Sequence, residues 1–167
     1  MHQAVVEFCA HIRNHRPEHF SNKKVLDCGS LDINGNNRYL FNDCSYTGID
    51  VGEGPNVDIV SLIHEFKGDE EWDTIISTEA FEHDSFLHLS IRRIVKLLKP
   101  GGMLIFTCAG PGRPEHGTEA TTKSDCPLTT WDYYRNLTPV DFGLVFNDFK
   151  EFHWDVENRD TKFWGIK

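Results

Sequence analysis

Val5, Phe8, Cys9 and Ile12 recur at the i, i+3, i+4, i+7 spacing of an amphipathic helix, so residues 3–15 are predicted to lay one apolar stripe on a core, with Pro17 ending the element. The pattern then changes. "KKVLDCG" (23–29) and "SYTGIDVG" (45–52) read as short strands, each with an acid near its carboxyl end, and between them "NNRYLFND" leaves room only for a short helix. "NVDIVSLI" and "EWDTIISTEA" read as third and fourth strands, rich enough in β-branched and apolar residues to be covered on both faces. A second amphipathic helix is predicted from about Ser85 to Leu98, with Leu87, Ile91, Ile94 and Leu98 on one stripe. Asp84 or Ser85 serves as its N-cap, Lys96 and Lys99 suit its C-terminal dipole, and "PGG" ends it. "GMLIFTCAG" is a fifth strand, residues 110–130 form a long Gly-, Pro-, Ser- and Thr-rich loop, and a last helix is predicted to begin with Thr138 as N-cap and Pro139 at its first position. "FKEFHWDVEN" and "TKFWGIK", separated by "RD", close the chain as an antiparallel hairpin.

Strands alternating with helices and then a hairpin predict an α/β fold: a Rossmann-like, mostly parallel sheet of about seven strands with a C-terminal antiparallel hairpin and helices on both faces. The length of 167 residues fits one domain, 1–167, and no internal repeat or low-complexity tract divides it. With 39% hydrophobic residues and no apolar run near the roughly 20 residues of a membrane span, neither a membrane segment nor a membrane partner is expected. The opening "MHQAVVEFCAHIRNH" lacks the basic region and apolar core of a secretory signal, and Cys9, Cys28, Cys44, Cys108 and Cys126 have neither zinc-site spacing nor scaffold density. A cytoplasmic protein with reduced thiols is expected, and no metal. The net charge of −9, with seven acids and no Lys or Arg between Asp69 and Asp84, would repel a phosphate backbone, so nucleic acid is a disfavoured partner. The acidic run itself reads as a solvated face.

Ligands of such sheets sit beyond the carboxyl ends of the strands, at the switch point. There Asp27 can receive an ammonium group, and Gly29 allows close approach to the backbone. The glycines of a dinucleotide fingerprint are replaced by Leu31 and Asn34, so a pyrophosphate cradle is not expected. Asn34 and Gly35 retain the means for a tight turn, displaced along the chain. Asp50, 23 residues after Asp27, can accept hydrogen bonds from both hydroxyls of a ribose, although an Asp in a strand-end turn is also common on structural grounds.

"VLDCG", "YTGID", "WDTIISTEAFEH" and "LKPGGMLIFT", in this order and spacing, resemble the successive motifs of class I S-adenosylmethionine-dependent methyltransferases, especially the small type 11 members, over about residues 23–109. The resemblance implies S-adenosylmethionine as cofactor and methyl transfer to a small-molecule, sugar-like or peptide acceptor. It places Asp27, Gly29 and Ser30 in the loop against the methionine part, Asp50 on the ribose, Val51 beside the adenine, and Leu62, Ile63 and His64 at the adenine edge. Thr78 and Glu79 fall at the end of the fourth strand, near the sulfonium. The family's further loop glycines are replaced by Leu31 and Ile33, which leaves a second reading open: a catalytically inactive, methyltransferase-like binding subunit. A nicotinamide oxidoreductase on a similar fold fails on the same glycine count.

In-line methyl transfer needs alignment and exclusion of water, and a base only where the acceptor must lose a proton. His83 is the candidate base, with Glu82 or Asp84 to orient it; its alternative role is a backbone hydrogen bond at the helix start. His11 and His15 are four apart but lack a third ligand on their face, so they read as a solvent-facing pair. Arg113, Glu115 and His116 in "RPEHG" would stand above the strand ends, where Arg113 could pair with an anionic substrate. Trp131, Tyr133 and Tyr134 are candidates either for the acceptor wall or for the core. Neither the acceptor nor the oligomeric state can be read from these residues.

Overall fold

The computed structural model describes residues 2–167, the side chains at positions 144 and 146 excepted. Its strands are β1 (Lys24–Cys28), β2 (Ser45–Asp50), β3 (Ile59–Val60), β4 (Trp72–Thr78), β5 (Leu98–Ala109), β6 (Glu151–Glu157) and β7 (Asp160–Ile166). They form one sheet in the order β3-β2-β1-β4-β5-β7-β6. The pairs among β1 to β5 are parallel, whereas β7 inserts antiparallel between β5 and β6. The two α-helices, α1 (Gln3–His15) and α2 (Leu87–Leu97), cover opposite faces of this sheet.

The alternation of strand side chains explains the two cores. Val25, Ile76, Met103 and Ile105 face α1 and its buried Val5, Cys9 and Ile12. Their neighbours Leu26, Ile75, Leu104 and Phe106 face the other way, onto Ile91, Ile94 and Leu97 of α2. Each such side chain, fully withdrawn from water, contributes about 1.5–3 kcal/mol. A central strand therefore stabilises the fold from both surfaces, and the loops at its carboxyl end inherit a rigid base.

Four sequence expectations are corrected. The third strand is only two residues long, and Ile59 and Val60 are 45% and 50% exposed. It is an edge strand bonded to β2 alone, so its β-branched residues do not lie between two covered faces. Helix α2 begins after Phe86 as its cap; Asp84 accepts the Phe86 N–H at 2.8 Å, and Ser85 makes no capping bond. The segment after Thr138 is not an α-helix but 3-10 turns spanning Pro139–Asp148, interrupted at Gly143 with φ 60° and ψ −130°. The hairpin turns on Asn158 and Arg159, both at positive φ (53° and 68°), one residue earlier than the "RD" placement. Positive φ at both central positions is the I′-type geometry that matches strand twist.

The acidic run is not a uniform solvated face. Asp69, Glu70, Glu71 and Asp73 pair with Arg93, Lys167, Lys24 and Lys99, brought from four other parts of the chain. Its last three members, Glu79, Glu82 and Asp84, lie instead at the strand ends. There the register sets Asp27 against Gly48, Asp50 against Val60 and Thr78 against Thr107, so these side chains share one edge of the sheet. All five cysteines are free thiols, and no helix among the described residues is long and apolar enough to cross a membrane.

Candidate functional site

A cavity of about 520 Å3 opens along that edge, within the roughly 300–1,000 Å3 of ligand sites. Asp27, Gly29, Ser30, Asp50, Val51, Thr78, Glu79 and His83 all line it, as do Leu62, Ile63 and His64. The loop after β1 is folded on itself. Its Gly29 and Ser30 N–H groups both bond to the Ile49 carbonyl, Leu31 N–H to Asp50 and Asp32 N–H to the Pro55 carbonyl. No row of free amides remains to receive a pyrophosphate.

Leu31 stands where the methyltransferase motif has glycine, and its side chain is turned against Gly54. A Cβ at Gly54 would lie 2.4 Å from Leu31 Cδ1, so the glycine that this loop lacks is supplied across it. Asp32 closes the next turn, accepting the Gly35 N–H at 2.7 Å and an Asn36 side-chain N–H at 2.6 Å, with Gly35 at φ 121°. The Asn34-Gly35 turn thus forms, with Asp32 as its brace. Gly29 is required for a different reason: φ is 78°, and a Cβ there would meet Ala80 Cβ at 2.4 Å. Ser30 lines the cavity, but its hydroxyl donates to the Asn56 carbonyl.

At the floor, Asp27 is 1% exposed. Tyr46 donates its hydroxyl to one carboxyl oxygen at 2.5 Å, and Asn37 approaches the other at 3.5 Å while donating to Thr78 Oγ1 at 3.0 Å. Burial outweighs these bonds and pushes the Asp27 pKa up to about 6. Asn37 Oδ1 is buried beside it without a partner. Two acceptors with unmet capacity fit an ammonium group.

Asp50, at the tip of β2, accepts the N–H groups of Leu31 at 3.0 Å and Val51 at 2.7 Å. Burial raises its pKa, and these two bonds work against the rise. Each backbone bond uses one lone pair of a different oxygen, so acceptor capacity is left for hydroxyl groups. Leu128 of the long loop reaches over this tip, 3.2 Å from where a Gly52 Cβ would stand.

The far end of the cavity is more heavily charged. Glu79 holds a left-handed φ of 56°, a conformation that costs about 1–2 kcal/mol without glycine. Thr107 donates to it at 2.9 Å, and Arg113 and His2 each stand 3.3 Å away. Burial would raise its pKa, but these hydrogen bonds and the Arg113 charge hold it below the usual carboxylate range. Arg113 also binds the buried Asp160 at 2.8 Å, so it serves as a brace between two acids of the chain. Both of its carboxylate partners belong to the chain itself, and it lines the cavity.

Beyond Glu79, the backbone turns through Phe81–His83 and buries Glu82 completely. Backbone N–H groups of Glu82 itself and Ala109 face its carboxyl, but neither oxygen closes a hydrogen bond. Burial, reinforced by Glu79, pushes its pKa well above the ordinary range. His83 is 5% exposed with Nδ1 unpartnered, and burial followed by the neighbouring His116 lowers its pKa to about 4. Its imidazole packs among the rings of His116 at 5.1 Å and Tyr134 at 5.6 Å, while Trp131 donates to its carbonyl at 2.7 Å. Trp131 lines the cavity and Tyr134 packs behind it. His11 and His15 stack on each other at 4.1 Å on the exposed face of α1, away from this site.

Solved structures match this fold over nearly the whole chain. The 1,6-didemethyltoxoflavin-N1-methyltransferase of Burkholderia thailandensis, with bound 1,6-didemethyltoxoflavin and S-adenosylhomocysteine, matches at TM-score 0.65 and 14% identity over 95% of this chain and 76% of its own. The fold is that of S-adenosylmethionine-dependent methyltransferases. One such enzyme from Archaeoglobus fulgidus matches at TM-score 0.64 and 12% identity, covering 96% of this chain and 93% of that one. Phosphoethanolamine N-methyltransferase 2 of Haemonchus contortus, in complex with phosphomonomethylethanolamine and S-adenosylhomocysteine, matches at TM-score 0.62 and 18% identity over 89% of this chain. The chain spans 38% of that protein's length. No protein-family model and no curated protein matches the sequence.

Residues that the sequence reading missed are Tyr46, Asn37 and Asp32. The alternation of β2 puts Tyr46 two residues before Gly48 and opposite Val25, a signal that could have pointed it toward Asp27. Asn37 carries no periodic signal, because it lies in an irregular loop.

Proposed function

We propose that the chain is an S-adenosylmethionine-dependent methyltransferase of the small type 11 kind, acting on a small-molecule acceptor in the cytoplasm. The single observation that carries this reading is the Asp50 carboxylate, fixed by two backbone N–H groups at the tip of β2 with acceptor capacity left toward the cavity. Asp50 would take the two ribose hydroxyls, with Val51, Leu62, Ile63, His64 and Leu128 enclosing the adenine. Asp27 and Asn37 would take the ammonium of the methionine part, and Gly29, Ser30, Thr78 and Glu79 would bound the rest of the chain. When bound, the cofactor supplies an electrophilic methyl group on a sulfonium.

The protein's part is alignment and dryness. Residues 113–131 close the acceptor side of the cavity, bracing it through Tyr134 and Asn136 bonds to the carbonyls of Pro114 and Arg113 at 3.1 and 3.0 Å. His83 presents an Nδ1 without a hydrogen-bond partner there and would take or orient the acceptor's proton. The small-molecule acceptor is supported by the ligands of the Burkholderia and Haemonchus structures. Five free thiols suit a reducing compartment.

Calorimetric titration with S-adenosylhomocysteine tests the reading. Binding with one site per chain is expected, together with a rise in the thermal midpoint as ligand is added. No heat and no stabilisation at millimolar ligand would favour the inactive binding subunit instead.

A further inference from the structure

We propose that Glu82, His83 and His116 hold a divalent transition-metal cation at the acceptor end of the cavity. Their carboxylate and imidazole donor atoms all lie within 4.8 Å of one another. The chain closes no hydrogen bond to them: neither oxygen of the fully buried Glu82 has a partner, although the backbone N–H groups of Glu82 and Ala109 face its carboxyl, and Nδ1 of His83, 95% withdrawn from solvent, has none. Folded interiors rarely bury three such acceptor atoms side by side, and one cation would satisfy all of them. His116 contributes a complementary feature. Its Nδ1 lies 3.1 Å from the Pro114 carbonyl, to which it donates, and this leaves the Nε2 lone pair free. A backbone carbonyl holding the opposite nitrogen is how ligand histidines are commonly oriented.

A second group with suitable spacing, His2, Glu79 and Asp160, serves as the contrast. Arg113 already sits within it, 2.8 Å from Asp160 and 3.3 Å from Glu79, so its positive charge is supplied by the chain. Glu82 forms no ion pair with Lys or Arg among the described residues, and Arg113 acts on it only as a more distant charge.

Two imidazoles and one carboxylate suit zinc, cobalt, manganese or iron(II) better than magnesium or calcium, which prefer all-oxygen sites. Metal–ligand bonds of about 2.0–2.2 Å require the three side chains to draw inward by small rotations. Three protein ligands would leave a coordination position open, and His83 and His116 both line the cavity from which an acceptor could reach it. An acceptor hydroxyl bound there would be acidified by the cation, its proton passing to bulk solvent before the site closes over the acceptor. With the cation bound, His83 would serve as its ligand, in place of the proton-accepting role it would have in the metal-free site. This use of the cation rests on the methyltransferase reading; the cation site does not.

The test is a titration of chelator-treated full-length protein with Co(II), followed by visible absorption. The expected result is a set of d–d bands saturating at one cation per chain. His116→Ala and Glu82→Gln should each weaken Co(II) binding by more than about 100-fold, with folding checked by circular dichroism. His11→Ala, which removes the surface pair, should leave the bands unchanged. Absence of bands in the wild type, or bands of equal strength in His116→Ala, would overturn the proposal. Titration of the wild type with S-adenosylhomocysteine is read separately, and its failure would leave a positive Co(II) result intact.

Discussion

Replacing Asp50 by Ala is expected to weaken S-adenosylhomocysteine binding by at least about 100-fold. Two hydroxyl hydrogen bonds to a carboxylate contribute about 1.5–3 kcal/mol each, and every 1.4 kcal/mol is a factor of ten. The same carboxylate anchors Leu31 and Val51 N–H, so the substitution also frees the loop that carries Leu31. Stability should fall by only about 1 kcal/mol, because the freed amides lie near the cavity mouth, where water can reach them. Calorimetry paired with urea unfolding separates the two effects. Wild-type affinity in Asp50→Ala would place the ribose elsewhere.

Asp27→Asn should move binding and stability in opposite directions. The folded protein holds the Asp27 proton more firmly than the unfolded chain does, since burial lifts the pKa from 3.8 to about 6. Stability from this group is therefore complete below about pH 3.8 and is lost as the pH rises through about 6. Above that range the buried carboxylate costs roughly 3 kcal/mol. An Asn can still accept the Tyr46 hydroxyl, and its NH2 can meet Asn37 Oδ1 once that amide turns over. At pH 8 the variant should thus be more stable than the wild type by about 2 kcal/mol, with the difference shrinking toward pH 4. Its affinity for S-adenosylhomocysteine should fall by about 10- to 100-fold, through loss of the charge facing the ammonium. Urea unfolding at the two pH values is the measurement. A variant less stable than wild type at pH 8 would mean that the carboxylate is not strained by its burial.

The central strands and the first helix were legible because their burial is two-sided or stripe-like, and sequence periodicity records this directly. The edge of the sheet was not. Ile59 and Val60 carry the same β-branched signature as the buried strands, although they are 45% and 50% exposed. The region from Pro139 to Asp148 has helical composition and a proper N-terminal Pro, yet Gly143 in the left-handed region breaks it. Among site residues, Asp27, Gly29 and Asp50 could be placed because strand ends fix their direction. Arg113 could not: its two acidic partners, Glu79 and Asp160, lie 34 and 47 residues away. The acidic run is solvated only in its first part, where Asp69, Glu70 and Glu71 are exposed and paired with cations from distant segments that no local pattern announces. Nor does any local pattern announce that Glu82 is buried without a partner. That fact depends on β5, on the loop carrying His116, and on the Tyr134 ring packing together.

The replacement of loop glycines by Leu31 and Ile33 is the sequence feature that most strongly favoured an inactive relative. In the structure Leu31 folds back onto Gly54 and Ile33 is 49% exposed; both line the cavity alongside Asp27 and Asp50, and the cavity stays open between those two acids.

The most direct measurement is a crystal structure of the protein with S-adenosylhomocysteine. The ribose hydroxyls should lie on the Asp50 carboxylate, the amino group against Asp27 and Asn37, and the sulfur toward Glu79 and His83. A ligand bound elsewhere, with the strand-end cavity closed by Leu31, would contradict the account.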